Sequence, residues 1–71
     1  MPVNLAAEEA IAKAKKFLEQ YHDTINLKSA ELELSTWIII FDVGFLTEQI
    51  KEVKVDAETG KILGYKNVSS D

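Results

Sequence analysis

The run of apolar residues at positions 37–41, written WIIIF, constrains the fold of this chain most strongly. It is the most apolar run in the sequence, and its aromatic and β-branched side chains are typical of the central strand of a sheet. Successive side chains of a strand point to opposite faces. The bulkier, odd-numbered set is expected to face the core: Trp37, Ile39, Phe41 and Val43. Ile38 and Ile40 then point to the other face.

An amphipathic helix is predicted ahead of this strand, over residues 5–22. Its apolar side chains recur at steps of three and four, which places them on one packed face: Ala7, Ile11, Ala14, Leu18 and Tyr21. Asn4 is expected as the N-cap. Glu8 and Glu9 fall in the first turns, where the helix dipole favours negative charge.

Three further strands are predicted from alternating polarity and turn residues. In residues 28–34 the inward set is Ala30, Leu32 and Leu34, and the outward set is Ser29, Glu31 and Glu33. Ile50 is expected to begin the third strand and Lys61 the fourth. The sequence therefore predicts an α+β fold, with one N-terminal helix packed on a four-stranded, mostly antiparallel sheet, as a single domain over residues 1–71.

The turn between the last two predicted strands contains Asp56, Thr59 and Gly60. The Asp56 carboxylate can accept backbone N–H groups of Glu58 or Thr59, and Gly60 can take the left-handed conformation that closes a type I turn with a bulge. These residues are therefore interpreted as structural. No metal site is predicted, because the loop is too short for the calcium-binding pattern of an EF-hand.

Composition excludes several classes of function. The chain has 71 residues and no cysteine, so a disulfide framework and a cysteine-based zinc site are excluded. Its net charge of −4, with 12 acidic residues and no arginine, argues against nucleic acid as a partner. No apolar run approaches the roughly 20 residues that span a bilayer, and no signal-peptide pattern is visible. We expect no cofactor, no membrane association and a cytoplasmic location, or secretion if a signal has been removed.

Three segments of the sequence resemble the PepSY domain, a small module named for its occurrence in peptidase propeptides. They are EEAIAKA at residues 8–14, the strand at 37–43, and VKVDAETGKIL at 53–63, in which valine alternation runs into Asp-x-x-Thr-Gly. The family usually has Thr or Ser just ahead of the Glu-Glu pair, where this chain has Ala6 and Ala7. The resemblance implies a helix on an antiparallel sheet, no catalysis, and a role in binding or restraining a peptidase or another protein.

One face of the predicted sheet is expected to carry a partner interface. A single helix covers one face, so Ile38 and Ile40 are left on the other, joined by Ile50 and by Ile62 or Tyr65, depending on strand register. Each isoleucine left in water forfeits about 1.5–3 kcal/mol of burial, which favours a covering surface. The sequence allows three surfaces to cover this face: a second copy of the chain as a homodimer, a target protein, or the chain's own segment from Val68 onwards.

Two classes of function follow from these observations. The first is a non-enzymatic protein-binding module without catalytic residues. The second is a small enzyme or ligand carrier that uses Asp42, Glu52 or His22 in a pocket between helix and sheet, which requires a cavity beneath Trp37. His22 is the only histidine, and without cysteine or a serine nucleophile motif we interpret it as a cation near the helix C-terminus.

Overall fold

The computed structural model describes residues 5–68, which form one helix and one four-stranded sheet. The elements are α1 (Ala7–Leu18), β1 (Asn26–Glu33), β2 (Thr36–Asp42), β3 (Ile50–Asp56) and β4 (Ile62–Asn67). The strands lie in the order β1-β2-β3-β4, and every neighbouring pair is antiparallel. The predicted α+β fold is therefore confirmed, and the sheet is antiparallel throughout.

The core lies between α1 and one face of the sheet. Its side chains with at most 1% exposure are Ala10, Ala14 and Leu18 from the helix, Ile39, Phe41, Val53 and Val55 from the two central strands, and Ala57 just after β3. Alanines at the helix contact let the helix approach the sheet closely. The predicted parity of β2 is confirmed, because Ile39 and Phe41 are buried under the helix whereas Ile38 and Ile40 lie on the opposite face.

The helix is shorter than predicted at both ends. Ala6, not Asn4, occupies the N-cap position, and Asn4 itself lies outside the described residues. Alanine has no side-chain oxygen, so the only side-chain contribution is that Glu9 Oε1 accepts the backbone N–H of Ala6 at 3.2 Å. At the other end the helix stops at Leu18, and His22 lies in the turn that follows, donating its N–H to the carbonyl of Leu18.

Backbone and indole hydrogen bonds attach the start of the helix to the sheet. The N–H of Leu5 donates to the carbonyl of Ala57 at 2.6 Å, and the carbonyl of Leu5 accepts the indole N–H of Trp37 at 3.0 Å. Ala57 in turn donates its N–H to the carbonyl of Ser35. Leu5 thus connects the start of α1 to β2 and to the turn after β3.

Leu34 does not continue β1 as an inward-facing residue, contrary to the sequence prediction. Glu33 pairs with Thr36, so only Leu34 and Ser35 remain for the turn between β1 and β2. Two-residue hairpin turns need a positive φ, and Leu34 has φ 57°. Its side chain is 96% exposed as a result. The hairpin geometry therefore overrides the alternating pattern at this position.

The loop at residues 43–49, between β2 and β3, is held by Asp42. Its Oδ1 accepts the backbone N–H groups of Gly44 at 2.9 Å and Gln49 at 3.1 Å. A Cβ on Gly44 would overlap the carbonyl oxygen of Thr47, so the close backbone approach in this loop requires glycine. Phe45 and Leu46 at the loop's tip are 85% and 88% exposed.

Candidate functional site: the open sheet face

The face of the sheet opposite α1 is uncovered within residues 5–68, and we call it the open face. Strand register places Ile38 between Glu31 of β1 and Lys54 of β3. Ile40 lies one step further along β2, between Ser29 and Glu52. The two isoleucines therefore sit at the middle of the sheet, with polar side chains on the strands to either side.

Ile50 shares the open face with these two residues. It pairs with Asp42, which has the same parity as Ile38 and Ile40. All three isoleucines are half-buried, so each leaves part of its side chain to solvent. We call Ile38, Ile40 and Ile50 the open-face patch. Strand pairing alone produces it, since no side-chain rearrangement is needed to bring the three residues onto one surface.

Ile62 and Tyr65 do not join the open-face patch, which corrects the prediction that one of them would. Tyr65 pairs with Val53 and its ring packs edge-on against Phe17 of the helix, with ring centroids 5.2 Å apart. Ile62 pairs with Val55 and packs against the core. Residues of opposite parity reach the same face because the pairing of β3 with β4 shifts by one residue between them.

The extra residue in β4 at this register shift is Leu63, which the sequence prediction missed. Its side chain is 56% exposed and lines a groove together with Leu34, Ile38 and Lys54. The groove measures about 360 Å³ and lies at the Leu34 end of the open face. Gly64 was the available signal, because a glycine inside a strand often marks a bulge.

Charged side chains are distributed unequally across the open face. On the β4 side, Glu52 contacts the ammonium groups of Lys66 at 3.6 Å and Lys54 at 4.0 Å, and only 14% of its side chain is exposed. On the β1 side, Glu31 and Glu33 form no ion pair with any described residue. At the level of Ile38 the open face is therefore acidic on β1, at Glu31, and basic on β3, at Lys54. The lysine of β1, Lys28, lies near the other end of the strand and is paired with Glu48 at 3.6 Å.

The residues proposed for an enzymatic pocket are not brought together. Asp42 and Glu52 lie on the open face, whereas His22 lies past the helix end, with its Nε2 3.3 Å from the Tyr65 hydroxyl oxygen. The space between helix and sheet is filled by fully buried side chains. The grooves that border Glu52, Ile38 or His22 are not lined by Trp37, so none of them is the cavity that this alternative requires.

The oxygen atoms of the β3–β4 turn are engaged in hydrogen bonds within the turn. The Asp56 carboxylate accepts the Thr59 hydroxyl at 2.7 Å and the Glu58 N–H at 3.3 Å, and both bonds lower the pKa of Asp56. Gly60 has φ 80° and donates its N–H to the carbonyl of Asp56. Among residues 5–68, no three histidine or carboxylate side chains are grouped so that they could hold a metal ion.

Comparisons of the chain with protein-family models, with curated proteins and with solved structures found no match. The resemblance to PepSY domains therefore stays a prediction. In the described part of the chain, α1 is the only helix, and it has neither the length nor the apolar character to cross a bilayer.

Proposed function

We propose that this chain is a non-enzymatic protein-binding domain that contacts its partner through the open-face patch. The observation that carries the proposal is the position of Ile38 and Ile40 on the second strand of a sheet whose only described helix lies on the other face. Covering an isoleucine is worth about 1.5–3 kcal/mol when its burial is complete. A partner that covers both side chains recovers part of this free energy.

The surroundings of the patch favour a protein surface over a small ligand or a nucleic acid. An apolar centre with a polar rim is the usual composition of a protein interface, and here Glu31, Glu52 and Lys54 form that rim. The groove at the Leu34 end of the open face is open to solvent along the sheet, whereas small-molecule sites usually enclose most of the ligand. The carboxylates beside Ile38 and Ile40 disfavour a phosphate backbone.

Two considerations favour different partners for the open-face patch. The resemblance to PepSY domains favours a peptidase or another protein that the domain binds or restrains. The frequency of two-fold pairing among small domains favours a second copy of the chain. The third cover, the chain's own segment from Val68, is less favoured because the N–H of Val68 donates to the carbonyl of Ile50, beside β3. Residues 69–71 lie outside the described residues.

The test compares wild-type protein with Ile38→Glu, which places a charge at the centre of the patch. The control is Leu46→Glu, since Leu46 is 88% exposed in the β2–β3 loop. Circular dichroism first establishes that both variants are folded. Light scattering then measures self-association, and affinity capture with each protein as bait measures binding of other proteins.

We expect wild-type protein and Leu46→Glu to behave alike, and Ile38→Glu to lose self-association, captured partners, or both. The reason is that a glutamate in an apolar contact has to be desolvated without a counter-charge. If Ile38→Glu associates and captures proteins just as the wild type does, the open-face patch is not the binding surface.

A further inference from the structure

We infer that the occupant of the open-face patch is a second copy of this chain, related to the first by a two-fold axis that runs along β2. The inference rests on the proposed function, because it uses the same patch and specifies what covers it. The observations that carry it are the charge asymmetry across β2 and the absence of an ion-pair partner for Glu31 among residues 5–68.

A two-fold axis along β2 places β2 opposite β2 of the second copy and, at the level of Ile38, unlike charges opposite each other. The β2 strands of the two copies face one another, so that Ile38 and Ile40 meet the same residues of the second copy. On either side, β1 of each copy faces β3 of the other. Glu31 and Lys54 flank Ile38 at the same level of the sheet, so Glu31 of one copy meets Lys54 of the second copy, and symmetry repeats the pair.

The same rotation brings Ser29 opposite Glu52 of the second copy, because both flank Ile40. A serine hydroxyl can donate a hydrogen bond to that carboxylate. Glu33 and Asp56 also face each other, but they flank Thr36 at the end of the sheet. Facing sheets cross at about 30°, which tilts the axis about 15° from each β2, so the strand ends diverge from the crossing point at Ile38 and Ile40 and these two carboxylates are drawn apart.

A two-fold axis perpendicular to β2 is the other way to stack Ile38 on Ile40. It would place Lys54 over Glu52 of the second copy. Glu52 is already paired with Lys54 and Lys66 of its own chain, and its side chain is largely covered. Glu31, in contrast, gains its first ion pair when the axis lies along β2. The charges therefore favour the axis along β2.

The size of the face indicates a weak dimer. In this arrangement β4 extends beyond the second copy, so the contact consists of seven residues of β2 and three strands and spans roughly 20 by 10 Å, or about 200 Å² on each copy before side chains are counted. A standard interface buries about 800 Å² on each partner. We therefore expect the dimer to form at micromolar to millimolar protein concentrations, and to be sensitive to single charges at the contact.

The test uses two charge reversals, Glu31→Lys and Lys54→Glu, alone and mixed in equal amounts. Their controls are Glu19→Lys and Lys16→Glu, which make the same charge changes at exposed positions of α1 and its C-cap. Association constants are measured by sedimentation equilibrium up to millimolar concentration. Circular dichroism verifies that each variant is folded.

Each reversal alone creates two like-charge contacts in the dimer, and we expect a weakening of about tenfold, against little change in the controls. In the mixture, Lys at position 31 of one variant faces Glu at position 54 of the other, and both remaining wild-type side chains also meet opposite charges. The mixed dimer should therefore recover the association constant of the wild type.

Three results would overturn the inference, and they separate it from the proposed function. A wild type that stays monomeric at millimolar concentration, while Ile38→Glu still abolishes capture of another protein, removes the second copy but keeps the patch. If the dimer persists in Ile38→Glu, the second copy does not bind at the open face. If that variant also captures other proteins as the wild type does, the open-face patch is not a binding surface. A mixture that stays as weak as the single variants excludes the axis along β2.

Discussion

Leu34 combines two unfavourable features at a single residue. It has φ 57°, a left-handed conformation that costs a residue with a Cβ about 1–2 kcal/mol, and its apolar side chain is 96% exposed. Strain of this kind is found more often at functional sites than elsewhere. Leu34 also lines the groove beside Ile38, so its exposed side chain extends the apolar surface of the open face.

Leu34→Asn should raise the free energy of unfolding by about 0.5–1 kcal/mol, because asparagine tolerates the left-handed conformation better than leucine. Urea denaturation measures the change. Leu46→Asn is the matched control, since Leu46 is similarly exposed and has no positive φ. It should shift stability by no more than about 0.5 kcal/mol. A loss of stability in Leu34→Asn would show that the turn does not hold the leucine under strain.

The N-terminus of α1 is stabilised by only half of a capping box. The Glu9 side chain accepts the N–H of Ala6, but Ala6 has no side-chain oxygen to accept the N–H of Glu9 in return, and that N–H donates to the Ala6 carbonyl instead. Ala6→Ser should complete the box and stabilise the protein by about 1 kcal/mol. Ala12→Ser, at an exposed site in the middle of the helix, should instead destabilise it by roughly 0.5 kcal/mol. Equal effects of the two substitutions in thermal denaturation would contradict this reading of the N-cap.

Asp56 and Asp42 make the stability of the domain depend on acid pH. The pKa of Asp56 is lowered by the Thr59 hydroxyl and the Glu58 N–H, and that of Asp42 by the N–H groups of Gly44 and Gln49. A carboxyl with a lowered pKa in the folded state stabilises it above the pKa of the unfolded chain, about 3.9. That contribution is lost as pH falls through the lower, folded-state pKa.

The free energy of unfolding should therefore decline as pH falls below about 4, and Asp56→Asn should show a shallower decline. The amide of asparagine can still accept a hydrogen bond but does not titrate in this range. Urea denaturation at neutral and acid pH gives the two slopes. If Asp56→Asn and wild type lose stability in parallel, the turn hydrogen bonds do not depend on the charge of this carboxylate.

At the scale of elements, the face assignments of β2 follow from sequence because alternation is fixed by strand geometry. Once Ile39 and Phe41 are assigned to the core, Ile38 and Ile40 have only one other face. The positions of Ile62 and Tyr65 could not be obtained in this way. They depend on the register shift between β3 and β4, which offsets the pairing of a whole segment by one residue. Gly64 is the only residue whose type indicates this shift.

The β3–β4 turn could likewise be predicted from the sequence, whereas the start of the helix could not. Asp56 and Gly60 encode their turn through local side-chain chemistry, which is readable from neighbouring residues. The N-terminus of α1 is set instead by a tertiary contact, since Leu5 is already bonded to Ala57 and Trp37 before the helix begins. Periodicity of apolar residues carries no information about such a contact, and for this reason the predicted helix began too early.

Two adjacent isoleucines of β2 provide a direct test of the face assignments. Ile39→Ala should cost about 2–5 kcal/mol because it opens a cavity under α1. Ile40→Ala removes the same atoms and the same β-propensity from the half-buried open face, and should cost less than half as much. Urea denaturation measures both, with Ile39→Val replacing the alanine variant if that protein does not fold. Equal costs would contradict a core on one face of β2 alone.

At the scale of the whole molecule, a single helix of 12 residues covers one face of a four-stranded sheet, within residues 5–68. A chain of 71 residues buries only about 60% of the surface of its unfolded form, so the core is thin. The proposed association at the open face would add a second apolar layer. The domain should therefore gain stability with protein concentration, as expected when only the folded state associates.

The most direct measurement of the open-face contact is the concentration dependence of isoleucine methyl NMR signals. The seven isoleucines report on both faces of the sheet. Between micromolar and millimolar protein, the methyl shifts of Ile38, Ile40 and Ile50 should move together along one binding curve, while Ile39 and Ile62 stay constant. Constant shifts at Ile38 and Ile40, or equal movement at the buried Ile39, would contradict self-association through the open face.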